Sequence, residues 1–460
     1  MAVAVPAGYD LIVLGGGAAG LATASRAVAD GATTLLVTEG APGGDCTFTG
    51  CVPSKTLIEA AADGLPFGKA MARVRDAVTR VAATEDEAAL RENGIEVLRG
   101  RARFVARDRI EVDGHVLRAP RIVIATGAAP LVPPIEGLDG TPALTTDTVF
   151  ELDERPSSLA VLGGGAVGCE LAQAFARFGV EVSLVEEAGR LLPDGDPEAS
   201  ALVADLLTSE GVTVHTGTRV ESIRGDGHRI TLRSATARID THRLLVATGR
   251  APVTGTLELE AAGVSTDRAG AVIVDRHQET SAAGVFAAGD VTGLFDNTHA
   301  AYAMGRVAAG AALRRTRRPA FSSAAIPRVI FTDPEIATVG LLEHEVNDPK
   351  ARVAYLPMSE VDRAIAAEAT TGFIKLITGP RRLLGDLGGG KLLGASIVAE
   401  RAGELIGEPA LAMTAGMFTG RLAQTVHAYP TWSMAVQQAA AQFFGEHGGR
   451  TARKVGGGTS

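Results

Sequence analysis

The apolar positions fall mostly into short unbroken runs rather than long amphipathic stripes. Tyr9 to Leu14 is the first run. Glycines follow, then an alanine-rich stretch through Ala29, then a second run from Thr34 to Thr38. Short apolar runs alternating with helix-length segments predict parallel strands buried on both faces. The pattern returns with a strand at Leu159 to Leu162, a helix at Cys169 to Phe178 and a strand at Glu181 to Val185. Between the two copies, a long helical segment is expected from Lys55 to about Val81. Short strands joined by turns such as Asp113-Gly114 are expected between Glu96 and Val123. A strand at Ile122 runs into Ala125-Thr126-Gly127, and one at Leu244 runs into Ala247-Thr248-Gly249-Arg250. This echo predicts two related halves. Val285 to Asp290 reads as a strand with a terminal carboxylate, and a helix runs from near Asn297-Thr298-His299 to about Leu313. The pattern then changes. Ile326 to Phe331, Arg352 to Leu356, Gly372 to Ile377 and Leu392 to Ile397 read as strands. Gly403 to Ile406, Ala410 to Thr419 and Trp432 to Phe444 read as helices, forming an α+β region of its own.

The chemistry sits at the joints of this pattern. Gly15-x-Gly17-x-x-Gly20 links the first strand to its helix, and Glu39 ends the second strand about 20 positions on. Such glycines let backbone approach a pyrophosphate, the helix N-terminus offers it N–H groups, and the acid accepts from ribose hydroxyls. Gly163-x-Gly165-x-x-Gly168 repeats the loop, with Glu186 ending its second strand. Two such units predict two dinucleotides. A carboxylate at Glu186 pairs with a free 2′-hydroxyl and repels a 2′-phosphate, so NADH is expected over NADPH, although Arg190 lies near enough to soften that preference.

Two of the chain's three cysteines, Cys46 and Cys51, lie in the glycine-rich stretch Gly43 to Lys55, just beyond the first dinucleotide unit. That placement suggests a redox pair, though each thiol could equally be inert. Five positions along an ideal helix is about 500° of rotation, so the two would not share a face. A distorted turn is needed, which Gly50 permits, with Pro53 at the following helix start. A helix N-terminus and Lys55 would favour a thiolate at Cys51. Cys169 reads as a packing residue.

Length and composition narrow the class. At 460 residues the chain calls for two to four domains. The net charge of −9 argues against nucleic-acid or anionic-membrane partners, and Arg314, Arg315, Arg317 and Arg318 read as a solvated helix end. No run of about 18 apolar residues offers a membrane span. Met1 to Pro6 lacks a signal peptide's charged region, and three cysteines cannot build a secreted disulfide framework, so a cytoplasmic location is expected.

Together these motifs resemble the class I pyridine nucleotide-disulfide oxidoreductases over nearly the whole chain. The resemblance rests on the first glycine loop, Cys46 to Lys55, Gly163-x-Gly165-x-x-Gly168-x-Glu170, Ala287-Ala288-Gly289-Asp290 and Phe331-Thr332-Asp333-Pro334-Glu335. It implies an α/β fold with two Rossmann-like domains, for FAD and NAD(P), and a C-terminal α+β dimerisation domain. The implied boundaries are 1–147 and 276–320 for FAD, 148–275 for NAD(P) and 321–446 for the interface, with a disordered tail at 447–460. FAD would lie along Gly15, Gly17, Gly20 and Glu39, with Thr126, Gly127, Asp290 and Thr298 as further contacts. NADH would lie along Gly163, Gly165, Gly168, Glu186 and Gly249. Cys51 would face the flavin and Cys46 the acceptor, while Lys55 and Glu170 would pair near the flavin. A homodimer would complete each active site across its interface, for a small-molecule acceptor and with no metal site.

One segment departs from the family. The disulfide-reducing members carry a His-Pro-Thr base with a Glu five residues later. Here Tyr429 stands for the His and Met434 for the Glu. A phenol with a pKa near 10 is a poor proton acceptor at neutral pH. His427 is the candidate substitute, against a plain packed histidine. Tyr429-Pro430 is expected to be cis. The segment is similar to the mercuric reductase branch, yet no cysteine follows Cys169, so efficient mercuric reduction is not expected. The acceptor is therefore expected to differ from a glutathione-like or lipoyl disulfide. Two alternatives stand beside this reading. In one, FAD passes electrons directly to a quinone, metal ion or oxygen. In the other, the chain is a flavoprotein subunit of a larger complex.

Overall fold

A computed structural model describes residues 8–225, 229–314 and 316–456. The chain divides into two compact units, residues 1–156 with 243–321 and residues 157–242 with 322–460. The stretches expected for FAD, 1–147 and 276–320, thus lie in the first unit, 321–446 lies in the second apart from Phe321, and 148–275 is divided between them.

In the first unit, Leu11–Leu14 is the centre of a five-stranded sheet. It is flanked by Ile122–Ile124 and Val285–Ala287 on one side and by Thr34–Thr38 and Glu96–Arg99 on the other. All four pairings are parallel. The three core strands are fully buried, which is why they carry unbroken Leu, Ile and Val rather than an alternating pattern. Helices Ala18–Ala29 and Thr298–Leu313 pack closely, and small residues allow it. A Cβ on Gly305 would lie 2.3 Å from Ala19 O. The two Ala-Thr-Gly turns meet each other, because Ala128–Pro130 pairs antiparallel with Arg250–Pro252.

The second unit holds a parallel trio, Ser158–Leu162, Glu181–Val185 and Thr213–His215, and a six-stranded antiparallel sheet. Helices Gly407–Thr414, Thr419–Gln424 and Met434–Ala441 cover that sheet. Leu422, Ala435, Val436 and Ala439 join Ile374, Leu376 and Ile397 in one core. Lys375, 5% exposed in this sheet, is held by Asp196, Glu198 and Glu343.

Three expectations need correction, and one strand had no signal. The long helix from Lys55 is two helices, Cys51–Ala62 and Phe67–Ala82, broken where Gly64 takes positive φ and Pro66 follows. The helix expected over Ala410 to Thr419 ends at Thr414 and resumes at Thr419, with Gly416 left-handed between. The strand Glu335–Gly340 was hidden in the Thr-Asp-Pro-Glu motif, yet it pairs with both Arg328–Ile330 and Lys391–Ala399. The tail is not disordered from 447. Arg453–Lys454 pairs with Arg352–Pro357, Arg450 binds Glu360 at 2.7 Å, and Arg453 binds Glu343 at 2.5 Å. Met1 to Pro6, Arg315 and residues 457–460 lie outside the described residues. Of the basic run, Arg318 is committed to Glu279 at 2.8 Å.

Candidate active site

The two cysteines come together because the helix is broken between them. Cys46 lies on Gly44–Phe48 and Cys51 opens Cys51–Ala62. Gly50 makes the break. A Cβ there would lie 2.9 Å from Asp45 O and 3.4 Å from Cys46 Cα. The distortion expected at Gly50 is thus a matter of close backbone approach. Cys46 and Cys51 are both free thiols, and their side chains hydrogen-bond each other.

The pair is strongly polarised. The hydrogen bond from Cys46 draws the Cys51 thiol down to about 6. Thr298 and Lys55 act in the same direction, against the opposing effect of burial. Thr298 Oγ1 lies 3.1 Å from Cys51 Sγ and begins the helix Thr298–Leu313. Lys55 is four residues beyond Cys51 on one helix, so both lie on one face. Cys46 is pushed the other way, by its hydrogen bond to Cys51, by burial and by the Cys51 charge, with Glu85 adding to the effect. The reduced pair therefore holds one thiolate and one thiol, and the thiolate is Cys51.

Asp45, next to Cys46, belongs to a charged cluster that joins two of the motifs. Arg250, directly after the second Ala-Thr-Gly turn, binds Asp45 and the carbonyl of Ala128 and lies 3.8 Å from Asp290. Burial pushes the Asp290 carboxyl up to about 6. Asp147 is raised too, by burial and by Asp45. Thr126 donates to Val253 O at 2.6 Å, and Gly127 and Gly249 take positive φ.

The glycine loops divide their labour identically. A Cβ on Gly20 would lie 1.9 Å from Gly15 O, and one on Gly168 would lie 1.9 Å from Gly163 O. Those glycines serve helix–strand packing. A Cβ on Gly17 would meet nothing nearer than 3.9 Å, and one on Gly165 nothing within 4 Å. Nothing in the surrounding fold requires a bare Cα at these two positions. Open glycines at two helix starts, the half-buried Asp290 carboxyl and the buried, unpartnered Asn297 Oδ1 fit two dinucleotides. Glu39 is exposed and 3.2 Å from Arg101. Glu186 accepts from Gly164 N at 2.6 Å and Ala188 N at 2.7 Å. Arg190, by contrast, is tied to Ser200 at 2.7 Å and to the Gly195 carbonyl.

The remaining candidates lie in the second unit. Glu170 accepts from Phe331 N at 2.8 Å. His427 faces acceptors at both ring nitrogens, Thr425 O at 2.9 Å from Nδ1 and Glu408 at 3.1 Å from Nε2. Tyr429 is 67% exposed and donates to Asp362 at 2.9 Å, which raises its pKa further. The Tyr429-Pro430 bond is cis. An open cavity of about 970 Å³ lined by Tyr9, Arg107, His115 and Arg118 contains none of these residues.

Family models agree with this geometry. The pyridine nucleotide-disulphide oxidoreductase model matches residues 9–305, and that family's dimerisation-domain model matches 326–440. The chain belongs to this family. It is an oxidoreductase that takes FAD and NAD(P)H. A mercuric reductase of Streptomyces lividans is 37% identical, covering 95% of this chain and 96% of its relative. A dihydrolipoyl dehydrogenase of Thermus scotoductus is 36% identical, covering 94% and 96%. Among solved structures, the HOCl-induced flavoprotein disulfide reductase RclA of Escherichia coli superposes with a TM-score of 0.86 at 28% identity, over 95% of this chain and 99% of RclA. Among the described residues, no helix is long and apolar enough to cross a membrane, and no group of three or more His, Cys, Asp or Glu side chains could hold a metal.

Proposed function

We propose that this protein oxidises NADH and delivers two electrons through the Cys46–Cys51 pair to a small-molecule acceptor other than a glutathione-like or lipoyl disulfide. The observation that carries this reading is the polarised pair, with a thiolate at Cys51 and a thiol at Cys46. FAD, when bound, supplies the two-electron link between a nicotinamide and the thiols. Gly15, Gly17, Gly20, Glu39, Thr126, Gly127, Asp290 and Thr298 would hold it. Gly163, Gly165, Gly168, Glu186 and Gly249 would hold the nicotinamide dinucleotide. The Glu186 carboxylate, with Arg190 engaged elsewhere, supports NADH over NADPH. Lys55 and Glu170 would pair near the flavin.

With a disulfide acceptor, the Cys46 thiol loses its proton and attacks one sulfur, forming a mixed disulfide and releasing one thiol. Cys51 thiolate then attacks Cys46 Sγ, closing the Cys46–Cys51 disulfide and releasing the second thiol. One proton comes from Cys46 and the other from solvent. The family's base is missing from this scheme. Tyr429 is bound to Asp362, and His427 has no ring nitrogen free within its own subunit. That absence favours an acceptor whose reduction demands little proton transfer. It also supports the second reading, electron transfer from FAD to a quinone, metal ion or oxygen without the thiols. The dimerisation domain at 326–440 supports a homodimer whose second subunit completes each site.

Anaerobic titration with NADH tests the reading. It should take up about four electrons per FAD, two for each redox centre. Cys51→Ser should halve that uptake. A Cys51→Ser protein titrating like wild type removes the dithiol role, and Cys46→Ser with full turnover moves the function to the second reading.

A further inference from the structure

Glu85 is far from every motif. It lies half-buried just after the helix Phe67–Ala82. Its carboxylate nevertheless reaches the turn that carries Cys46. Oε2 accepts from Thr47 Oγ1 at 2.8 Å, one residue beyond Cys46. On the other side of the thiol, a Cβ on Gly43 would come within 3.0 Å of the same oxygen. The carboxylate thus spans the turn from Gly43 to Thr47, and the bare Gly43 leaves it room. Its charge opposes ionisation of Cys46. Of the cations near the pair, Lys55 acts on Cys51 and Arg250 binds Asp45.

We propose that Glu85 is a positioning residue that restrains Cys46 as a nucleophile and selects acceptors by charge, so that the pair reduces small disulfides that are uncharged or cationic and turns away anionic ones. This rests on Cys46 being the thiol that meets the acceptor. A fixed negative charge beside the attacked sulfur repels an anionic disulfide at encounter and in the developing thiolate. It also makes the attacking thiol rarer as its anion.

Glu85→Gln removes the charge while its amide oxygen can still accept from Thr47, so the turn survives. Two measurements separate the proposal from the reading beneath it. The first is the pH profile of Cys46 alkylation by iodoacetamide in the Cys51→Ser protein, assigned by peptide mapping. Glu85→Gln should move the profile to lower pH and speed alkylation measurably near pH 8, and Glu85→Asp should restore most of the wild-type profile. The second is NADH-dependent reduction of cystamine, a dication, against oxidised glutathione, an anion. Wild type should prefer cystamine, and Glu85→Gln should lose most of that preference, as should high salt. An unchanged alkylation profile in Glu85→Gln overturns the proposal. An unchanged acceptor preference overturns its selectivity. If Cys46→Ser still reduces cystamine, the reading beneath has failed, while the alkylation arm still reports whether Glu85 governs the thiol.

Discussion

The hydroxyl of Thr298 gives the sharpest handle on the redox pair. Thr298→Val keeps the shape of the side chain and deletes one hydrogen bond, the 3.1 Å contact to Cys51 Sγ. Hydrogen bonds to charged groups are worth about 1.5–3 kcal/mol, and about 1.4 kcal/mol corresponds to one pH unit of midpoint. Cys46 and Lys55 remain, so the lower figure applies. The Cys51 midpoint should rise from about 6 to roughly 7, and the thiolate fraction at neutral pH should fall from about nine-tenths to about half. The assay is the pH dependence of Cys51 alkylation in reduced protein, read by mass spectrometry. Stability should follow with a definite sign. Cys51 ionises in the folded chain at about 6 rather than 9.0, so the folded state binds fewer protons between these values. Stability therefore rises with pH across that window and is lost as pH falls through about 6. In Thr298→Val the window narrows from below, and about 1 kcal/mol of this contribution should disappear near pH 8. A midpoint unmoved by Thr298→Val refutes the reasoning. So does an equal shift in Thr298→Ser, which keeps the hydroxyl.

Gly165→Ala should fold with near-normal thermal stability yet weaken NADH binding severalfold, read as KM. Gly168→Ala should fail to fold or lose several kcal/mol, because its Cβ would fall 1.9 Å from a carbonyl oxygen. Lys375→Met should cost about 3–5 kcal/mol in denaturant unfolding, since it strands Asp196, itself 2% exposed. Glu186→Gln should lower the NADH-to-NADPH ratio of kcat/KM only modestly, because Arg190 is bound to Ser200 and the Gly195 carbonyl and is not free to receive a 2′-phosphate. His427→Asn should leave the pH profile of turnover unchanged while lowering thermal stability, the outcome for a histidine whose two nitrogens are both engaged.

The local signals that served well were those in which a few residues dictate backbone. Apolar runs gave the parallel strands because full burial on two faces tolerates nothing else. Glycine loops gave the dinucleotide units because a packed helix start excludes a Cβ at Gly20 and Gly168. Illegible features depend on residues distant in sequence. Nothing near Glu85 announces that it reaches Thr47, 38 positions earlier, and nothing near Arg250 points to Asp45, 205 positions away. The strand Glu335–Gly340 was missed for another reason. A motif with a proline and two acids reads as a turn, and only its pairing on both edges makes the following residues a central strand. The tail read as loose because of its glycines, but two arginines with acidic partners outweigh that flexibility.

The same logic bears on the base that is missing. Tyr429 and Met434 could be read from the sequence as a lost dyad, and His427 as its replacement. The structure weakens the replacement by geometry, because both ring nitrogens already face partners, Thr425 O and the Glu408 carboxylate, rather than a thiol. A site that needed rapid proton removal from Cys46 would be expected to hold a cation or a neutral base beside it. This one holds a carboxylate, fixed by Thr47 and favouring the protonated thiol. Loss of the dyad and presence of Glu85 act in one direction. Both slow attack by Cys46 on an ordinary disulfide, and both leave the Cys51 thiolate intact. On the proposed reading, the pair would hold electrons readily and release them selectively, to an acceptor that overcomes the protonated Cys46 by its own electrophilicity or positive charge.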